Sequence, residues 1–473
     1  MQHFTPTFFF YDLETSGFDP KSQRIMQFAG QRTNLDLTPV GEPVNLLVSL
    51  TDEVLPDPSA IMVTGITPQK TRAEGYLEPE FLKQLYDQVL TPGTTILGFN
   101  SVRFDDEFMR YTLYRNFYDP YEWQWQDGRS RWDMLDVVRM TRALRPTGIE
   151  WPVDADGQST NRLELLAKAN SLQHTSAHDA LSDVQVLIDL ARLIKTKQPK
   201  LFDYLYSNRA KSNVAKLANL DDPQPFVYTS GRYSKDILHT TVAVPIAPGG
   251  RPGSVVVYDL RHDPDLWANK STKELLAIRQ TPYEERKSPS FVPLPVKELA
   301  FNKCPAVAPL GVLDADAQSR LALNLEDIKK NLAKLSKSNL GQKLQELFAM
   351  PNDYAKTTDV DGQLYDGFVA EGDKTKMRIV RAADELGLSS INPEFTDKRL
   401  KELLLRYKAR NYPKSLSSAD QSQWDMYRNE RLKSSLPGYV RELAKQAAVQ
   451  GTDKQFALEE LRLWAESIMP ADA

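Results

Sequence analysis

"FFFYDLETSG", residues 8–17, sets two carboxylates one residue apart at the end of an aromatic run. Phe8, Phe9, Phe10 and Tyr11 read as a strand inside a core, where an ionised carboxylate is costly unless something compensates it. Side chains at i and i+2 of a strand share a face, so Asp12 and Glu14 project together while Leu13 points the other way into packing. Two acids on one face repel and raise each other's pKa. A hard divalent cation removes the difficulty, because Mg²⁺ favours carboxylate oxygens. A strand end that has simply reached solvent is the plainer alternative.

The surrounding chain supplies the sheet such a strand needs. "RIMQFAGQRTNLD" and "GEPVNLLVSL" read as further strands. "TTILGFNS" reads as a short buried strand leading into a helix, "VRFDDEFMRYTLYRN". A second helix is expected from about Asp179 to Lys197, where Val184, Leu187, Ile188, Ala191 and Ile194 recur at helical spacing. Strands mixed with helices of this length predict a mixed sheet with helices on its faces. "KTKQPK", 195–200, is a basic, proline-containing break. Beyond it, "QPFVYTSG", "DILHTTVAVPI" and "GSVVVYDL" predict a β-rich stretch to about residue 350. Helical segments are then expected around 373–386, 395–409, 420–433, 436–449 and 454–468.

With 473 residues the chain exceeds one compact core, and two or three domains are expected. Its 41% hydrophobic and 26% charged residues are ordinary for a globular protein, and disorder is excluded as a general description. The net charge of −4 means that any polyanion must be met by a local basic groove rather than by bulk charge. Cys304 is the one cysteine, so an intrachain disulfide is impossible and Cys304 reads as a small core residue. No basic, apolar leader precedes the acids, and no stretch approaches the roughly 18 uncharged residues of a membrane span. A soluble cytoplasmic protein is the expectation.

Two further clusters join the opening pair. In "GFNSVRFDDEF", Asn100 can cap a helix whose early turns carry Asp105 and Asp106, where the dipole favours acids in any case. In "HTSAHDALSD", His174 and His178 lie near Asp179 and Asp183, although the chain has only five histidines. Histidine beside such acids is a candidate general base, since it titrates near neutrality.

Together, in this order, these motifs resemble the DEDD superfamily of 3′–5′ exonucleases, in its histidine-containing branch. Its Asp-x-Glu matches Asp12 and Glu14. Its Asn three residues ahead of Phe-Asp matches "NSVRFD" and selects Asp105 over Asp106. Its His-x4-Asp matches "HDALSD" and selects His178 and Asp183. "GITP", "YRNFYDPY", "SRWDMLDV", "LRPTGIEWP", "KTKQPKLFDYL" and "NKCP" extend the likeness, through all three regions, to the bacterial exonuclease I family.

That resemblance implies an α/β RNase H-like exonuclease domain over 1–198, an SH3-like β-rich domain over 199–350 and an α-helical C-terminal domain over 351–473. It implies 3′–5′ degradation of single-stranded DNA to 5′-mononucleotides by two-metal hydrolysis, in DNA repair and recombination. Asp12, Glu14, Asp105 and Asp183 would hold two Mg²⁺ ions, with Mn²⁺ able to substitute, and His178 would be the base. Glu14 and Arg162 would contact substrate. The acidic C-terminal tail of single-stranded-DNA-binding protein would be a partner, met by Arg145 and Tyr204, with Lys334 and Lys337 as further candidates out of clear register. A monomer is expected. The alternatives are an exoribonuclease of the same superfamily, against which the length beyond residue 200 argues, and a catalytically silent nucleic-acid-binding protein.

Two stretches suit single-stranded nucleic acid without reference to any family. Residues 111–132 interleave Tyr111, Tyr114, Phe117, Tyr118, Tyr121, Trp123, Trp125 and Trp132 with Arg115, Arg129 and Arg131, a pattern that can stack bases and hold phosphates, although at least half the rings are expected in the core. Residues 397–414 set Lys398, Arg399, Lys401, Arg406, Lys408, Arg410 and Lys414 against only Asp397 and Glu402. They form a local basic patch, which reads either as a face whose Arg406 and Arg410 track phosphates or as a solvated helix face.

Overall fold

The computed structural model describes residues 4–172, 179–351, 357–449, 451 and 454–469. The chain divides into two units, one of Met1–Ser130, His174–Ile188 and Ala355–Ala473, the other of Arg131–Gln173 and Asp189–Tyr354.

In the first unit, β1 (Thr7–Thr15), β2 (Ile25–Thr33), β3 (Val44–Leu47) and β4 (Thr94–Gly98) lie side by side in the order β3-β2-β1-β4. β1 is antiparallel to β2 and parallel to β4. Its alternation works as the opening stretch predicts. Phe9, Tyr11 and Leu13 enter a core with Ile25, Phe28, Phe81, Phe108 and Trp123. Phe8 and Phe10 are equally buried on the other face, where Asp12 and Glu14 follow them and are half-buried. Each such side chain taken from water contributes about 1.5–3 kcal/mol, which fixes the strand and hence the direction of its acids. Gly98 ends β4 because a Cβ there would lie 2.7 Å from that of Ser101 and 3.1 Å from the Tyr11 carbonyl oxygen.

The C-terminal helices belong to the same unit. Ser418–Val449 is one helix, not the two segments expected, and carries Pro437 inside it. Proline there removes one backbone donor without ending the helix. Lys398–Asn411 corrects the expectation of a phosphate-tracking face. Arg406 is 3% exposed, and Arg410 is buried as well. The Arg410 guanidinium donates to Glu53 at 2.8 Å and to both Asp361 oxygens at 3.1 and 2.5 Å. Arg24 donates to the same two acids at 2.9 and 3.4 Å. Arg406 pairs with Asp359 and Glu402, each at 2.5 Å, and its guanidinium lies over the Tyr427 ring, 3.7 Å from the centroid. These arginines close an internal ionic network.

The second unit contains a five-stranded antiparallel sheet ordered Ala306–Pro309, Phe226–Thr229, Thr240–Pro248, Ser254–Asp259, Val296–Ala300. The first and last of these strands are short and carried no clear signal in the sequence. Cys304 is buried, as its reading requires. Among the described residues, no helix is long and apolar enough to cross a membrane.

Candidate active site

β4 pairs with β1 only over Thr7–Phe10, whereas β2 continues alongside through Asp12, opposite Ala29, and Glu14, opposite Gln27. Asp12 and Glu14 therefore stand where β1 outruns its parallel neighbour, at the carboxyl ends of both strands. Open α/β sheets bind their ligands at such ends. The helix Ala180–Lys197 brings Asp183 there in its first turn. One carboxylate oxygen from each of Asp12, Glu14 and Asp183 lies within 4.8 Å of the other two.

That crowding shows in the carboxyls themselves. Burial, then the Asp183 carboxylate, pushes Asp12 up to about 8, against a bond from the Leu13 backbone that pulls it down. Burial, then Asp12, Asp183 and Asp179, pushes Glu14 up to about 9. Three oxygens at this spacing, two of them unwilling to ionise, form a donor set for a hard cation, which would supply the missing positive charge. Asp179 adds to the field although Asp183 supplies the oxygen.

Asp105 is the first residue of the helix Asp105–Arg115 and is buried, but it stands outside the three-carboxylate group. Its neighbour Asp106 accepts a 2.7 Å hydrogen bond from the buried Tyr11 hydroxyl. His174 and His178 lie outside the described residues.

In the second unit, Arg162 precedes the helix Leu163–Ala169, is largely exposed and pairs with Glu164 at 2.5 Å. Arg145 donates to the Val312 carbonyl at 2.9 Å and pairs with Asp314 at 3.1 Å. Tyr204 is half-buried on Pro199–Ser207, where burial pushes its hydroxyl up. Lys334 is held between Asp263 and Asp265 at 2.6 Å each, while Lys337 is exposed. Of the aromatic residues in 111–132, Tyr111, Tyr114, Phe117, Trp123 and Trp132 are buried, and Trp125 is the most exposed.

Comparison with known proteins gives the class first. A family model described as "Exonuclease" matches residues 9–191, the stretch that carries all three acids. Models for the exonuclease I SH3-like domain and the exonuclease I C-terminal domain match 209–350 and 358–468. Exodeoxyribonuclease I of Haemophilus influenzae is 41% identical over 432 residues, 91% of each chain. The crystal structure of Escherichia coli exonuclease I with a dA16 oligonucleotide superposes with a TM-score of 0.94 at 37% identity, over 98% of this chain and 100% of that one. A zinc-bound form of the E. coli enzyme with single-stranded DNA gives 0.93 at 37% identity, over 98% and 99%. The chain belongs to the exodeoxyribonuclease I family. It is a nuclease of that activity, a 3′–5′ exonuclease of single-stranded DNA.

Proposed function

We propose that the chain hydrolyses the terminal phosphodiester of single-stranded DNA at the Asp12–Glu14–Asp183 cluster, releasing 5′-mononucleotides, with Asp105 as a fourth ligand and His178 as general base. The observation that carries this reading is the convergence of three carboxylate oxygens within 4.8 Å, with Asp12 and Glu14 pushed up by burial and by the neighbouring acids. Mg²⁺ is the proposed resident cation, as two ions, with Mn²⁺ a competent substitute. When bound, the metal supplies Lewis acidity for the attacking water and the leaving oxygen. The carboxylates hold it, the rigid β1 strand aims them, and His178 takes a proton from the attacking water. Glu14 and Arg162 contact substrate in this reading.

The domains of the proposal are the exonuclease domain over 1–198, the SH3-like domain over 199–350 and the C-terminal domain over 351–473. The acidic tail of single-stranded-DNA-binding protein would dock through Arg145 and Tyr204. Service in DNA repair and recombination, as a cytoplasmic monomer, completes it.

The test is release of mononucleotides from end-labelled single-stranded DNA with Mg²⁺, with and without chelator. Chelator-sensitive release from the 3′ end is expected, and its absence would overturn the proposal. His178→Ala should lower the maximal rate by about 10²–10⁴-fold while leaving metal affinity near wild type. Unchanged activity at neutral pH would remove His178 from the base role. A matched RNA oligonucleotide, degraded as fast as the DNA, would favour the exoribonuclease alternative.

A further inference from the structure

The ladder between β1 and β4 ends where Phe10 stands opposite Leu97. Tyr11 and Asp12 run on past it. The chain leaving β4 reaches Asp105 through Asn100, in the left-handed region at φ 67°, and through Phe104, at φ −125° and ψ −75°. Neither residue is helical, and the sheet ladder does not extend to Asp105, which opens the helix Asp105–Arg115.

A side-chain bond spans that gap. The Tyr11 hydroxyl donates to Asp106 Oδ1 at 2.7 Å, and each of the two residues is 1% exposed. Tyr11 immediately precedes Asp12, and Asp106 immediately follows Asp105. The bond therefore joins the two segments one residue away from each acid. Both of its ends are braced. The Tyr11 ring stacks on Phe28, with centroids 5.8 Å apart, in the core that also holds Phe108 and Met109 of the helix. On the helix, burial pulls the Arg110 guanidinium down, while Tyr365, Asp106 and Glu107 hold it above the ordinary arginine range. Asp106 thus lies within electrostatic reach of Arg110, which Glu107 at 2.5 Å and Gln124 at 3.2 Å fix in turn. Partners of this kind orient ligating side chains without touching the metal, and they set its affinity.

We propose that the Tyr11–Asp106 bond is a strap that holds Asp105 in reach of the cation bound by Asp12. Tyr11 and Asp106 are positioning residues in this scheme. Their role rests on the reading of Asp105 as the fourth ligand.

The test titrates the metal-free full chain with Mn²⁺ and reads the free ion by electron paramagnetic resonance. Wild type, Tyr11→Phe, Asp105→Asn and the double variant are compared. Tyr11→Phe keeps the ring and removes only the hydroxyl, and it should weaken Mn²⁺ binding about tenfold. In the Asp105→Asn background the same change should have no further effect, because the strap acts through Asp105. Single-turnover release from single-stranded DNA by Tyr11→Phe should fall at limiting Mg²⁺ and return to the wild-type rate at saturating Mg²⁺, with the apparent DNA dissociation constant unchanged. Unaltered Mn²⁺ binding in Tyr11→Phe, an equal loss with and without Asp105, or a rate that no Mg²⁺ concentration restores would each overturn the strap. Asp105→Asn binding Mn²⁺ as wild type does would remove Asp105 from the ligands and the strap with it, a distinct failure.

Discussion

Two groups of buried acids in the first unit behave in opposite ways. Glu53 and Asp361 are more deeply buried than Asp12 and Glu14, yet arginines hold them low: Glu53 sits at about 2 and Asp361 well below the carboxylate range, under Arg410 and Arg24. Among the described residues, the charges that act on Asp12 and Glu14 are other acids, and the two rise to about 8 and about 9. Burial opposes ionisation in both places, and the difference lies in whether the fold supplies its own cations. The ionic network is closed by the chain itself. The acid cluster waits for a cation from outside, as a binding site must.

The sharpest way to break this comparison is to neutralise one acid in each place. Asp361→Asn leaves Arg24, Arg406 and Arg410 with an uncompensated buried charge and should destabilise by about 3–5 kcal/mol in urea unfolding. Asp12→Asn should abolish nuclease activity, yet stabilise the metal-free protein by about 0.5–2 kcal/mol, because it relieves repulsion at a functional site. Two shifts of the same sign would contradict the comparison.

The pH dependence of stability should diverge as well. The folded-state values of Asp12 and Glu14 lie above their ordinary 3.8 and 4.5. Their contribution is therefore fully present below about pH 4 and is lost as pH rises through about 8 and 9. Glu53 is depressed from 4.5 to about 2, so its contribution is present above 4.5 and lost as pH falls towards 2. Urea titrations in chelator from pH 5 to 9 should show wild type losing stability more steeply than Asp12→Asn. Parallel slopes would contradict the assignment. The smallest effect is expected for DNA binding by Arg410→Gln. Its salt dependence should match wild type, because Arg410 faces acids rather than phosphates.

The same contrast explains what the sequence revealed. Asp12 and Glu14 were legible because period-two alternation and an aromatic run are local signals. Asp183 needed the His-x4-Asp pattern, since periodicity alone does not separate it from Asp179. Arg406 and Arg410 misled for a physical reason: the acids that bury Arg410, Glu53 and Asp361, lie 357 and 49 residues away in the chain. Charge counted in a window cannot see a partner at that separation. The rings of 111–132 divide the same way, since five of the eight named above turn inward to cores, some shared with residues beyond 360. The break expected between 433 and 436 is absent, since Ser418–Val449 runs as one helix with Pro437 inside it.

The central claim, that Asp12 and Glu14 form a site completed by a cation, is tested most directly by calorimetric titration of metal-free protein with Mg²⁺ at pH 7. It should be run in two buffers of different ionisation enthalpy. Binding should release protons from wild type, because carboxyls at about 8 and 9 must ionise to take the metal, and Asp12→Asn should bind weakly with less release. Binding without proton release, or binding unaltered by Asp12→Asn, would contradict the claim.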